Sequence, residues 1–186
     1  IPTAAFPNKA NLVDHLANVG FDPGRAHSVP WMSGMAGIGY NPKATGRELN
    51  SVADLFDPKF KGKVTMLTEM RDTLGLVMFG DGKDPSACTI EDARAACAKI
   101  KQYRENGHIR GFTGNDYAED LAAGNIAVAV AWSGDIQGLA ADNPDLRWIA
   151  PKEGAMLYSD NMLIPKTSDR PDMAAAFMNY CYTPAH

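Results

Sequence analysis

Much that commonly announces a function is missing from this chain of 186 residues. No stretch approaches the roughly 18 apolar residues that a membrane-spanning helix needs. The opening IPTAAFPNKAN has neither the charged start nor the apolar centre of a signal peptide. It also lacks an initiator Met, and it reads as the interior of a longer polypeptide. Net positive charge is absent: the formal charge is −4 at pH 7. That argues against general nucleic-acid binding, which needs a basic face. The three cysteines, Cys88, Cys97 and Cys181, are an odd number without metal-ligand spacing. Buried thiols are expected of them more than bridges.

Motifs that would signal an enzyme are missing as well. His15, His27, His108 and His186 show no H-E-x-x-H spacing. Neither G-x-G-x-x-G nor G-x-x-x-x-G-K-[ST] occurs, and Gly34, Gly37 and Gly39 come in the wrong order with no helix behind them. Ser133 lies in W-S-G-D and not in a G-x-S-x-G elbow. Acids are present, as a glycosidase would require, but no spacing pairs them for that chemistry. Neither a metal nor a cofactor is expected.

What remains is an ordinary globular composition, 45% hydrophobic and 22% charged, in a length suited to one domain. The most informative stretch is IAVAVAWSGD, Ile126 to Asp135. A continuous apolar run with β-branched residues, bounded by Gly124-Asn125 and Gly134, reads as a strand buried on both faces, as in a parallel sheet covered by helices. Open α/β sheets bind ligands beyond the carboxyl ends of their strands. This strand ends in an aromatic, a hydroxyl, a glycine and a carboxylate, a set that suits a cation with an apolar body. The alternative reading makes Trp132 core and Asp135 a cap of the next helix, whose first turn favours carboxylates.

The rest of the chain alternates strands and helices. Asn8 is placed to cap a helix over Lys9 to Val19. Ser28 to Tyr40 is glycine-rich without helical spacing, and reads as a strand with close backbone approach. Asn50 or Ser51 opens a short helix, Val52 to Phe56. A strand at Val64–Leu67 runs into a loop, Thr68 to Asp72, and a helix from about Asp72 to Phe79. Thr89 caps the clearest helix, Ile90 to about Asn106, with Ala93, Cys97 and Ile100 on one face. A short strand at Ile109–Phe112 follows, and Asn115 is placed to cap a helix over Asp116–Ala123. Beyond the central strand come a helix to Ala141, strands at Arg147–Ala150 and Met156–Ile164, and a last helix from Pro171 with Met173, Phe177 and Tyr180 on one face. The pattern predicts a layered α/β fold, a central mixed sheet flanked by helices. Four acids sit at or just past predicted strands, Glu69, Asp72, Asp135 and Asp160, with the aromatics Trp132 and Tyr158. They are the candidate site.

Four segments in order now support a resemblance. SVADLFDPKFKGKVTML resembles the opening of the second lobe of extracytoplasmic solute-binding proteins of ABC transporters, and VPWMSGMAGIGYN the inter-lobe crossover before it. AEDLAAGNIAVAVAWSGDI and WIAPKEGAMLYSDNMLIPK resemble, more narrowly, the spermidine/putrescine-binding branch. The resemblance runs from about Val29 to Tyr182. It implies one lobe of a two-lobed fold of the type II periplasmic-binding-protein kind. The second lobe would cover about 38–155, with crossovers at about 28–40 and 155–165, and the first lobe would be largely absent. It further implies that Trp132 and Asp135 match a ligand-binding W-x-G-D, that Tyr158 and Asp160 match an aromatic-x-Asp pair, and that Glu69 and Asp72 match acids after an early strand. A polyamine cation would then be the ligand, an ABC permease the partner and the extracytoplasmic side the location. Arg71, between two of the acids, would neutralise part of an otherwise acidic site, which leaves a different cationic or a zwitterionic ligand open. The competing expectations are a small-molecule transferase of similar two-lobed architecture, such as a hydroxymethylbilane-synthase-like enzyme, and a sensor lobe that binds without transport.

Overall fold

The structure is a computed structural model that describes residues 5–184; His186 lies outside them. The chain divides into two compact units. One runs from Gly34 to Tyr158; the other combines the residues up to Ser33 with those from Ser159 onward. In chain order the elements are α1 (Asp14–Ala17), β1 (Ser28–Tyr40), α2 (Pro42–Thr45), β2 (Val64–Leu67), α3 (Met70–Gly80), α4 (Ile90–Glu105), β3 (Ile109–Thr113), α5 (Tyr117–Ala122), β4 (Val128–Trp132), α6 (Ser133–Ala140), β5 (Arg147–Ile149), β6 (Met156–Leu163) and α7 (Pro171–Cys181). The chain passes between the units within β1 and again within β6.

The larger unit is built on a sheet in the order β3-β2-β4-β1-β5. β2 pairs in parallel with both β3 and β4, whereas β1 runs antiparallel to β4 and β5. The sheet is thus mixed. β4 is parallel on one side only, a refinement of the all-parallel neighbourhood that its apolar run suggested. Val128 to Ala131 are fully buried because both faces of β4 are covered. A side chain added at Gly39 would sit 2.8 Å from the Ala131 methyl and 3.0 Å from Ile136 of α6. Trp132, the next residue along β4, points its indole the other way, to Asp72 of α3. Since successive strand residues face opposite sides, α6 and α3 cover opposite faces. α4 packs with α3, and α5 with α6, which completes the predicted helix–sheet–helix layering.

Most elements fall where the periodicity places them, β1 and β2 to the residue. The exceptions have local causes. The expected helix over Lys9–Val19 is only a 3-10 turn at Pro7–Asn11 followed by the single turn of α1. Asn8 does not cap it, because its backbone and side chain bond Asn179 of α7, each at 2.9 Å. Val52–Phe56 forms as a 3-10 rather than an α-helix, and of the two candidates Ser51 is the cap. α3 begins earlier than predicted, at Met70, since Glu69 caps it by accepting from the Arg71 amide. The Thr68–Asp72 loop therefore shrinks, and Asp72 lies in the first helical turn. On α4 the buried residues are Ala96 and Ile100, and Cys97 is exposed. Cys88 is exposed too and Cys181 half-buried, so the expectation of buried thiols fails; all three are free. On α7, Met173, Phe177 and Tyr180 do share a side, but it is exposed, and Ala175 and Met178 face inward.

The smaller unit has its own core of Phe6, Val29 and Met178, with Tyr182 edge-on to Phe6 at 5.2 Å. Beside it Asp22 gathers the Ser28 hydroxyl at 2.7 Å and the amides of Ala26, His27 and Ser28. Arg25, buried with a left-handed φ of 54°, donates to the Leu16 carbonyl and to Asn161 of β6, both at 2.7 Å.

Two predictions follow from these contacts. A methyl at Gly37 would lie 2.7 Å from the Trp148 ring and also press on the Ile149 carbonyl, whereas one at Gly111 would meet nothing within 4 Å. Overpacking of that kind costs about 1–3 kcal/mol. Gly37→Ala is expected to lower the unfolding free energy by that amount, read as a lower urea midpoint, and Gly111→Ala to leave the midpoint near wild type. For Asp22, the Ser28 hydroxyl first, and then the backbone amides against the opposing effect of burial, hold the carboxyl at about 2, below its ordinary 3.8. A depressed carboxyl stabilises the fold above its unfolded value and loses that contribution as pH falls through the folded one. Stability is therefore expected to drop between about 3.8 and about 2, and urea midpoints of Asp22→Asn should lose that part of the acid dependence.

Candidate functional site

Parallel pairing of β2 and β4 brings the ends of both strands to one edge of the sheet. Each strand runs directly into a helix, β2 into α3 and β4 into α6. Asp72 and Asp135 occupy the first turns of those helices, where backbone amides favour negative charge. Sheet topology thus sets two carboxylates and Trp132 along one rim, the place where open α/β sheets bind ligands.

Three hydrogen bonds organise the rim. The Trp132 indole Nε1–H donates to Asp72 Oδ2 at 2.8 Å. The Trp132 backbone N–H donates to the Tyr117 hydroxyl at 2.9 Å. That hydroxyl in turn donates to Asp135 Oδ2 at 2.7 Å. Asn115 Nδ2 adds a fourth bond, to the same Asp135 oxygen at 2.9 Å. Tyr117 is fully buried and meets the Trp132 ring edge-on, with centroids 6.3 Å apart. Burial, and then its bond to the Asp135 carboxylate, push the Tyr117 phenol well above its ordinary value of 10.0. It remains a protonated donor throughout the physiological range.

The sequence-predicted residues separate into groups. Trp132, Asp135 and Asp72 are joined in one hydrogen-bonded chain. Trp132 also packs half-buried against the core, so its two readings are compatible. Asp135 lies in the first turn of α6, yet makes no cap there; its carboxylate is given to Tyr117 and Asn115. Tyr158 lies across Gly34, where any Cβ would collide with the phenol ring. Gly34 is two residues along β1 from Ala36, the partner of Trp132. Between them, the Met35 amide donates to Ser133 Oγ at 3.2 Å. Glu69 caps its own helix, with the Arg71 guanidinium 3.9 Å away and strongly exposed. Asp160 is exposed and belongs to the smaller unit.

Two functional residues escaped the sequence reading. Tyr117 reads as one apolar position of α5, on the same side as Leu121, and nothing in the pattern reveals where its hydroxyl points. Asn115 looked like a helix cap; Asp116 takes the cap position, without a side-chain bond, and Asn115 turns to Asp135. Elsewhere in this unit, a pocket of about 570 Å³ between α3 and α4 is lined by Leu74, Ile100, Phe112 and Cys97, with Lys101 and Arg104 at its side. That lining is the wrong chemistry for a cation.

The arrangement can bind a positive charge between carboxylates and aromatic faces. Among the described residues no cluster has the make-up of a metal site, and no helix is long and apolar enough to cross a membrane. The chain is 31% identical over 202 residues to the putrescine-binding periplasmic protein SpuD of Pseudomonas aeruginosa, covering 96% of this chain and 53% of that protein. It is 27% identical over 164 residues to spermidine/putrescine-binding periplasmic protein 1 of Haemophilus influenzae, covering 88% and 45%. A solved Listeria monocytogenes chain, assigned as a spermidine/putrescine ABC transporter, superposes with a TM-score of 0.90 at 27% identity, over 100% of this chain and 57% of that one. The chain spans about half the length of the curated relatives it matches. The family model for bacterial extracellular solute-binding proteins matches residues 1–186, and the chain belongs to that family.

Proposed function

We propose that this chain forms one face of a binding site for a small organic polycation, putrescine or spermidine, in a protein that delivers it to an ABC importer from the extracytoplasmic side. The observation that carries the proposal is Asp135. Both of its hydrogen bonds fall on Oδ2, which leaves Oδ1 to receive an ammonium group beside the indole of Trp132. Asp72 holds that indole from its far end. Tyr158 supplies a second aromatic wall for methylenes. Glu69 adds negative potential, reduced by its neighbour Arg71. For Asp160 the support is the aromatic-x-Asp resemblance alone. The names of the relatives supply the polyamine, the periplasmic setting and the transport role.

We read the chain as a binding protein and not as an enzyme. A transferase needs a reactive side chain at the rim, and Cys88, Cys97 and Cys181 all lie on other elements. A sensor lobe would use the same contacts; only the partner would differ.

Calorimetric titration of the intact gene product with putrescine, spermidine and a panel of amino acids tests the proposal, with saturable binding of the polyamines alone expected. Asp135→Asn should weaken that binding by about 2–5 kcal/mol without unfolding the protein, the usual cost of breaking a desolvated charge pair. An unchanged affinity in the folded variant would remove Asp135 from the site. Trp132→Ala should lose roughly 0.5–2 kcal/mol of cation–π attraction plus the packing of the methylenes. If Trp132 serves the core alone, its variant will instead melt early and retain affinity while folded.

A further inference from the structure

We infer that Tyr117 and Asn115 are specificity-determining positioning residues that make the Asp135 carboxylate an acceptor for ammonium and not for guanidinium. This rests on the cation site proposed above and concerns how that site chooses among cations.

A carboxylate offers two oxygens. A guanidinium binds best in fork-to-fork fashion, with two parallel N–H groups on the two oxygens at once. A primary ammonium is a compact charge with three rotatable donors, and a single free oxygen satisfies one of them. At Asp135 the two oxygens are not equivalent. Oδ2 already accepts from the Tyr117 hydroxyl at 2.7 Å and from Asn115 Nδ2 at 2.9 Å, while Oδ1 has no such partner among the described residues. Rotating the carboxylate to present both oxygens would break both bonds.

Nor can Tyr117 yield. Its ring is fully buried, and its oxygen is committed at the same time to the Trp132 amide at 2.9 Å. One hydroxyl therefore links the strand end that carries the aromatic wall to the carboxylate that takes the charge. The second donor, Asn115, stands two residues before Tyr117 in the turn that opens α5, so two bonds from one segment enforce the same choice of oxygen. The arrangement selects the chemical class of the ligand's end group: primary alkylammonium is accepted, and planar delocalised cations are disfavoured.

The test compares two four-carbon dications in the intact gene product: 1,4-diaminobutane, and 1,4-diguanidinobutane, which has no ammonium to offer at either end. Binding of both is measured by calorimetry for wild type, Tyr117→Phe and Asn115→Ala. Wild type should prefer the diamine. Each variant should narrow that preference by about tenfold, the effect of freeing one hydrogen-bonding position next to a charge. Asn115 is exposed, so its variant keeps the test decisive if Tyr117→Phe folds poorly. Equal binding of the two ligands by wild type, or an unaltered preference in both variants, would overturn the inference. Asp135→Asn in the same series separates the two levels. If it leaves diamine affinity intact, the cation site itself is misplaced and the inference falls with it. If it abolishes affinity while the preference of the other variants is unmoved, only the inference falls.

Discussion

β4 has to lie in the middle of the sheet, and the rest of the larger unit follows from that requirement. Val128 to Ala131 expose nothing, and burying each large aliphatic side chain there is worth about 1.5–3 kcal/mol. Such a strand needs a neighbour on each edge and a layer on each face. β2 and β1 supply the edges, and the α3 and α6 sides supply the layers. The antiparallel neighbour β1 can come close because its inward positions are glycines: Gly37 accommodates Trp148, and Gly39 accommodates Ala131 and Ile136.

The rim chemistry is a consequence of how that strand ends. Where β4 becomes α6, Trp132 still pairs with Ala36 of β1 but lies beyond the last pair of β4 with β2, and its amide turns to a side chain. A buried amide without an acceptor is costly. The Tyr117 hydroxyl accepts it, and by doing so becomes a fixed donor for Asp135. The satisfaction of a backbone group and the aiming of a carboxylate are thus one piece of structure. On the other face, Asp72 orients the indole while its own charge is favoured by the start of α3.

The resemblance identified from four short segments and the fold reached from hydrophobic periodicity are separate arguments, and they meet in the same place. Periodicity predicts the sheet, its helical layers and the importance of the β4 terminus, but says nothing about polyamines. The W-S-G-D and K-E-G-A segments suggest the ligand class, but not how the residues touch. The relatives extend to about twice this length.

The sequence by itself determined the strands, because a continuous apolar run has few places to go, and the ends of most helices, because Thr89, Ser51 and the glycines act locally. It also determined which residues stand at the strand ends. It misjudged the N-terminal helix, since Asn8 is drawn to Asn179, far away in sequence. It misjudged the cysteines, and for α7 it gave the shared stripe of Met173, Phe177 and Tyr180 but not its exposure, since a helical stripe does not say which stripe is covered. Only the tertiary structure decided that Asp72 serves Trp132, that Glu69 spends itself on its own helix, and that Tyr117 and Asn115 hold one oxygen of Asp135. Those are contacts between residues far apart in the chain. They depend on where a hydroxyl or amide points once the sheet has closed, and no local pattern encodes that direction.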